Sequence, residues 1–238
     1  MLARRVLAEG LGTAFLLIAV VGSGIAAQRL SPGDTGLQLL ENASATAVAL
    51  VAIILALGPV SGAHLNPVVT LADRAFGGIA SSAAAAYIAA QLTGAVLGTV
   101  VANLMFDLPA IEWSSEVRSG SGLWLGEGVA TFGLLIVIFG VVRSGRPSLA
   151  PFAVGAYIGG AYFFTSSTSF ANPAVTVARM LTDTFTGIAP GSVPAFVAMQ
   201  LVGATLAVLV LRVLYPNAAV RAQDVVVPHP SEQKEVAA

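Results

Sequence analysis

One short stretch occurs twice and constrains the whole chain. Asn66-Pro67-Val68-Val69-Thr70-Leu71-Ala72 returns 106 residues later as Asn172-Pro173-Ala174-Val175-Thr176-Val177-Ala178. Five of the seven positions are identical, and the other two exchange one apolar residue for another. Each copy reads as a helix start. Asn caps the orphan backbone N–H groups, and Pro suits the first helical position. Charge follows soon after, at Asp73 and Arg74 in one copy and at Arg179 in the other. Neither copy is long enough to cross a bilayer, so each is expected to form a half-helix. Such a segment is tolerated at membrane depth only where it lines a cavity or is buried in protein.

The surrounding chain is a membrane protein by composition. It is 56% hydrophobic and 10% charged, with mean hydropathy +0.87; a soluble domain carries about 25% charge. The net charge of −1 gives no footing for nucleic acid, and the absence of cysteine excludes disulfides, thiol catalysis and thiolate metal sites. Two histidines supply no metal cluster. No cofactor is implied. The apolar run after Arg5 is long enough to span and reads as a retained first span, not a cleaved signal.

Six apolar stretches are expected to cross: Val6–Ala27, Ala43–Val60, Ser81–Phe106, Leu123–Val142, Leu149–Phe164 and Val193–Leu214. The fifth is the shortest. Residues 1–216 form a single transmembrane domain in this reading, with 217–238 a polar C-terminal tail. Alternating the spans puts eight Lys and Arg residues on one side and three on the other, so both termini are expected in the cytoplasm. Two further matches extend the repeat. Glu9-x-x-x-Thr13 pairs with Glu127-x-x-x-Thr131, and Gln91-Leu92-Thr93-Gly94-Ala95 pairs with Gln200-Leu201-Val202-Gly203-Ala204. The halves, approximately residues 6–106 and 123–214, each hold three spans and one half-helix. Three is odd, so the second half enters the membrane inverted. The fold class is therefore all-α, with six transmembrane helices and two re-entrant half-helices in an inverted repeat. Gly94-x-x-x-Gly98 and Gly155-x-x-x-Gly159 allow close helix approach.

Two half-helices set N-terminus to N-terminus raise a positive barrier at the midplane, which disfavours protons and cations and spares neutral solutes. The Asn66 and Asn172 amides can donate to a passing oxygen. Ser61-Gly62-Ala63-His64-Leu65-Asn66-Pro67-Val68, Asn172-Pro173-Ala174 and the paired Glu9 and Glu127 resemble the aquaporins and aquaglyceroporins, the major intrinsic proteins, over roughly Val6 to Leu214. The resemblance implies a homotetramer in the cell membrane, one pore per protomer, and passive conduction of water or small neutral solutes. The first motif departs from the family's Asn-Pro-Ala at Val68, and a modest effect is expected.

The resemblance also implies an outer selectivity constriction at Thr46, Gly160, Ser169 and Val175, placed by counting from the two Asn residues. The family usually has Arg where Val175 stands. Without that cation or a bulky aromatic, the ring is expected to be wide and to admit glycerol, urea or metalloid hydroxides such as arsenite. Arg179, one helical turn past Val175, either replaces the missing cation at the outer mouth or pairs with Asp183.

Glu9 and Glu127 are read as loop supports, accepting backbone N–H groups, in preference to a proton relay. His64 is read as a loop residue bonded to backbone. Tyr87, Tyr157 and Tyr162 are read as packing aromatics. The alternative function is a secondary transporter, which also uses inverted repeats and broken helices. No charged residue lies mid-span to hold a coupling ion, and no nucleophile, base and orienting group converge as an enzyme would need.

Overall fold

The computed structural model describes residues 2–216; the polar tail lies outside the described residues. The chain is helical throughout, in the order α1 (Leu2–Leu30), α2 (Thr35–Ser61), α3 (Pro67–Phe76), α4 (Ser81–Met105), α5 (Ser121–Arg143), α6 (Ala150–Phe164), α7 (Pro173–Ala178) and α8 (Val193–Leu214). Five helices, α1, α2, α4, α5 and α8, are long and apolar enough to cross a bilayer. The fifth expected span is α6, with 15 residues. That is about 22 Å of helix, lengthened at its start by the 3-10 turn Pro147–Leu149.

Local chemistry sets the boundaries. Helix α2 begins eight residues before the apolar run, because Asp34 caps it by accepting a hydrogen bond from the Leu37 amide at 2.9 Å. It ends at Gly62, whose φ of 86° is the left-handed C-cap that glycine adopts without strain. Helices α3 and α7 start as expected, with Asn66 and Asn172 as caps and proline in the first turn. They differ in length. Helix α3 runs ten residues to a left-handed Gly77, whereas α7 runs six and tightens into the 3-10 turn Arg179–Leu181.

The two halves repeat the same packing. Helix α1 lies along α4 and α5 along α8, while α2 and α6 meet across the halves. Small residues make the seams. A Cβ on Gly94 would lie 2.1 Å from the Gly10 carbonyl oxygen, and one on Gly203 would lie 2.3 Å from that of Gly128. These two glycines are the matched pair of the repeat. A Cβ on Gly98 would lie 2.3 Å from the Ala14 carbonyl oxygen, and one on Gly155 2.8 Å from that of Ala47. The expected close approach is backbone against backbone at Gly94 and Gly98, whereas at Gly155 and Gly159 the nearest atoms are Val51 Cγ2 and Ala47 Cβ.

The connector 107–120 does more than join α4 to α5. It lies along the segment that follows α7: the Ser114 amide donates to the Met180 carbonyl at 2.9 Å, and the Ala189 amide donates to the Glu116 carbonyl at 2.7 Å. The Ser115 amide and hydroxyl both donate to Asp183.

Gly94→Val should prevent α1 and α4 from closing, since the neighbour that must give way is backbone. Overpacking of this kind costs roughly 1–3 kcal/mol or more. Thermal unfolding in detergent should show a clearly lowered midpoint for Gly94→Val. Gly191→Ala, where a Cβ meets nothing within 4 Å, should be near neutral.

Candidate pore and its supporting network

The helix caps bring the twin motifs together. Asn66 Oδ1 accepts from the Val68 amide at 3.0 Å, and Asn172 Oδ1 accepts from the Ala174 amide at 3.0 Å. Each oxygen is thus used by its own helix, and each amide nitrogen reaches across. Asn66 Nδ2 donates to the Ala171 carbonyl at 2.8 Å, and Asn172 Nδ2 donates to the Leu65 carbonyl at 2.8 Å. The acceptor in each case is the residue preceding the other Asn. One N–H of each amide remains for the cavity that both residues line.

Two buried carboxylates hold the loops that lead into the half-helices. Glu9 accepts from the His64 amide at 3.0 Å, the Leu65 amide at 2.7 Å, the Ser61 hydroxyl at 2.6 Å and Gln91 Nε2 at 2.8 Å. Glu127 accepts from the Phe170 amide at 2.8 Å, the Ala171 amide at 2.9 Å and Gln200 Nε2 at 2.5 Å. Both side chains are fully buried. Their oxygens are engaged by donors, which is what a buried carboxylate requires.

The glutamines continue the network. Gln91 Nε2 also donates to Thr70 Oγ1 at 3.0 Å, and Gln200 Nε2 to Thr176 Oγ1 at 2.8 Å. Thr70 and Thr176 in turn donate to the Asn66 and Asn172 carbonyls. The loops pass through left-handed backbone at Ala63 and Leu65 in one half and at Ser169 and Ala171 in the other. Such conformations cost about 1–3 kcal/mol each when the residue is not glycine, so the carboxylates offset real strain.

The central cavity is about 60 Å³ in volume. Its wall is largely apolar, from residues such as Leu16, Leu50, Ile54, Leu134 and Ile138. Thr46, Ser169 and Val175 line it, as does Val69, the partner of Val175 in the first motif. His64 lines it too. The His64 ring partners side chains where backbone was expected: Nδ1 lies 3.0 Å from Thr70 Oγ1 and Nε2 3.6 Å from Asp73 Oδ2. Pro67, Val68, Pro173 and Ala174 are buried in the packing behind the wall.

Gly160 is a correction. It is exposed on α6 and is not among the cavity-lining residues. Helix α6 faces the cavity with Val154, Ile158 and Tyr162, a stripe of period four. A residue two positions from Ile158 or Tyr162 points some 200° away. On that stripe Tyr162 faces the cavity, and its hydroxyl donates to Thr46 Oγ1 at 3.2 Å. Tyr162 is consequently a lining residue and not only a packing one, whereas Tyr87 and Tyr157 bond to backbone carbonyls between helices.

Of the two places open to Arg179, at the cavity or paired with Asp183, the structure shows the first. Arg179, 2% exposed, lines the cavity. It does not pair with Asp183, whose carboxylate is held by Ser115. Its Nε donates to the Thr186 carbonyl, and its guanidinium stacks 3.5 Å from the centroid of Phe170. Arg118, in the connector, stands over the same ring at 5.2 Å; burial holds its guanidinium below the usual range, while Glu116 and Glu127 pull it back up.

The fold and site define a membrane protein of inverted repeats whose two half-helices meet at a shared cavity. The chain belongs to the major intrinsic protein family: the family model of that description matches residues 1–171 and 152–237. It is 50% identical over 211 residues to aquaglyceroporin AqpS of Rhizobium meliloti (strain 1021), covering 89% of this chain and 90% of that one. It is 32% identical over 194 residues to aquaporin NIP1-3 of Oryza sativa subsp. japonica, covering 78% and 66%. The X-ray structure of the aquaglyceroporin from Plasmodium falciparum shares the fold, with a TM-score of 0.71 at 22% identity, over 92% of this chain and all of that one.

Glu127→Gln replaces one acceptor oxygen by an NH2, which faces either the Phe170 amide or the Ala171 and Gln200 donors. Leaving a buried donor unmet costs about 1–3 kcal/mol. The variant should unfold at lower temperature than the wild type. A conservative change elsewhere in the wall, Leu134→Met, should move the midpoint far less.

Proposed function

We propose that residues 1–216 form one passive channel domain conducting water and small neutral polyhydroxylated solutes of the glycerol type. The observation that carries this is the cavity itself. Its wall is apolar except for a short row of hydrogen-bonding groups, led by the Asn66 and Asn172 amides set against each other. A solute hydroxyl gains a partner there without being held. Family membership and the 50% likeness to a protein named an aquaglyceroporin support the same reading.

Protons and cations are excluded for three reasons that act together. Both half-helices start at the cavity with their N–H groups, a partial positive charge. Arg179 adds a full charge further along. Glu9 and Glu127 are occupied by donors, so neither offers an open proton site. A channel of this kind needs no coupling ion, which separates it from a secondary transporter.

The constriction in this proposal is formed by Thr46, Tyr162, Ser169, Val175 and Arg179. Tyr162 and Arg179 supply an aromatic wall and a hydrogen-bond donor, which suits a polyol with carbon on one side and hydroxyls on the other. Urea and metalloid hydroxides such as arsenite share that shape and belong to the proposed cargo. The chain is proposed to work as a homotetramer in the plasma membrane, with both termini cytoplasmic; the excess of Lys and Arg on one side supports that orientation.

Proteoliposome swelling tests the proposal. Glycerol and water should enter at rates that do not saturate and that ignore an imposed proton or sodium gradient. Entry that requires either gradient, or vesicles closed to glycerol, urea and arsenite alike, would reject it. Val175→Arg brings a second cation beside Arg179 and narrows the passage; glycerol entry should fall roughly tenfold, the equivalent of about 1.4 kcal/mol in barrier.

A further inference from the structure

A second cavity, of about 230 Å³, lies past α7 and shares Arg179 with the central one. Thr35, Asn42, Thr168 and Phe185 contribute to its wall together with Arg118 and Arg179. We propose that this vestibule binds a small oxyanion between the two guanidinium groups.

Arg179 is almost wholly buried, yet among the described residues its one hydrogen bond is from Nε to the Thr186 carbonyl. Its two terminal nitrogens have no acceptor among the described residues, and the residue fronts both cavities. Arg118 donates from Nε to the Gly187 carbonyl at 2.7 Å and from one terminal nitrogen to the Phe185 carbonyl at 3.0 Å. Its other terminal nitrogen carries no such bond. Three successive carbonyls, 185 to 187, therefore fix both side chains, and both guanidinium groups contact the Phe170 ring, 3.5 and 5.2 Å from its centroid. The two forks are held in place and left with donors to spare.

No carboxylate contacts either guanidinium; Glu116 and Glu127 act on Arg118 only at longer range. Among the described residues, neither arginine forms an ion pair within 4.0 Å. Asp183 is engaged by Ser115, and Glu127 is engaged by loop amides and Gln200. Two like charges over one ring, partly removed from water, favour a bridging negative charge. A planar fork of N–H donors matches the spacing of two oxygens on one carboxylate or phosphate. A neutral polyol would satisfy the donors but leave both charges uncompensated. The volume limits the ligand to a few heavy atoms beyond its oxygens. The inference is independent of the cargo, because it concerns equilibrium binding and not passage.

Calorimetric titration of the full-length protein in detergent and low-chloride buffer, with inorganic phosphate as the probe, tests it. One saturable site per chain is expected. Arg118→Gln should weaken it roughly tenfold or more, as losing a charge-assisted hydrogen bond does, and Arg179→Gln should abolish it. Arg146→Gln, at an exposed basic residue far along the chain, should leave it unchanged. Should Arg179→Gln not fold, Arg179→Lys, which keeps the charge and loses the fork, should still weaken phosphate binding. Absence of saturable binding to the wild type, or equal binding by the folded Arg118→Gln and Arg179 variants, would overturn the proposal.

Discussion

Two hydrogen bonds that cross between the half-helices are the constraint on which the rest of the molecule depends. Each Asn caps its own helix with oxygen and holds the opposite loop with nitrogen. An amide is suited to this because it carries an acceptor and two donors on one rigid plane. A carboxylate in its place would have no donor, and a hydroxyl would have too short a reach. In an apolar setting a helix start that failed to satisfy its N–H groups would not persist. The same two residues therefore make the half-helices possible and bring their starts to one place.

Strain follows from that choice, and the buried carboxylates answer it. A loop that must turn sharply and aim successive groups at the cavity uses left-handed residues that are not glycine. Glu9 and Glu127 hold the amides of those loops, and glutamines from α4 and α8 tie the carboxylates to the threonines of the motifs. Each member bonds to the next through its donors, which ties the loops to the wall, while the Gln91 and Gln200 amide oxygens stay buried without a partner among the described residues. Glycines at the α1–α4 and α5–α8 seams bring the carboxylate-bearing helices close enough for this to work. The two halves do not mirror each other fully. The shorter α7 and the 3-10 turn after it carry Arg179 to the cavity, whereas α3 keeps Asp73 buried and Arg74 in its final turn. One end of the passage is thereby cationic.

The sequence was legible where chemistry is local. Asn-Pro caps, alternating apolar spans and matched Glu and Gln residues each report on their own neighbourhood, and all of them reappear in the architecture. Thr70 and Thr176 were visible as identical positions in the twin stretch, although their link to Gln91 and Gln200 needed the fold. The wall of the cavity was legible in part. Thr46, Ser169 and Val175 sit at it, but Gly160 does not, because counting from Asn172 assumes a fixed loop between α6 and α7. The helical stripe Val154, Ile158, Tyr162 was the better guide. Arg179 could not be placed from spacing alone: a regular helix would continue past Ala178, and the 3-10 turn rotates the side chain to a different bearing. The ordering of residues 107–120 was hidden too, since their bonds run to a segment some 70 residues away.

The central claim is that the twin motifs open on one common passage. The absence of cysteine makes it directly testable by placing single thiols and measuring their modification by a water-soluble reagent. Val69→Cys and Val175→Cys, the equivalent positions of the two motifs, line the cavity and should be modified, with solute entry blocked at either. Val68→Cys and Ala174→Cys, two residues past each motif's start and packed behind the wall, should resist the reagent in the folded protein. Modification of the second pair with protection of the first would contradict the account.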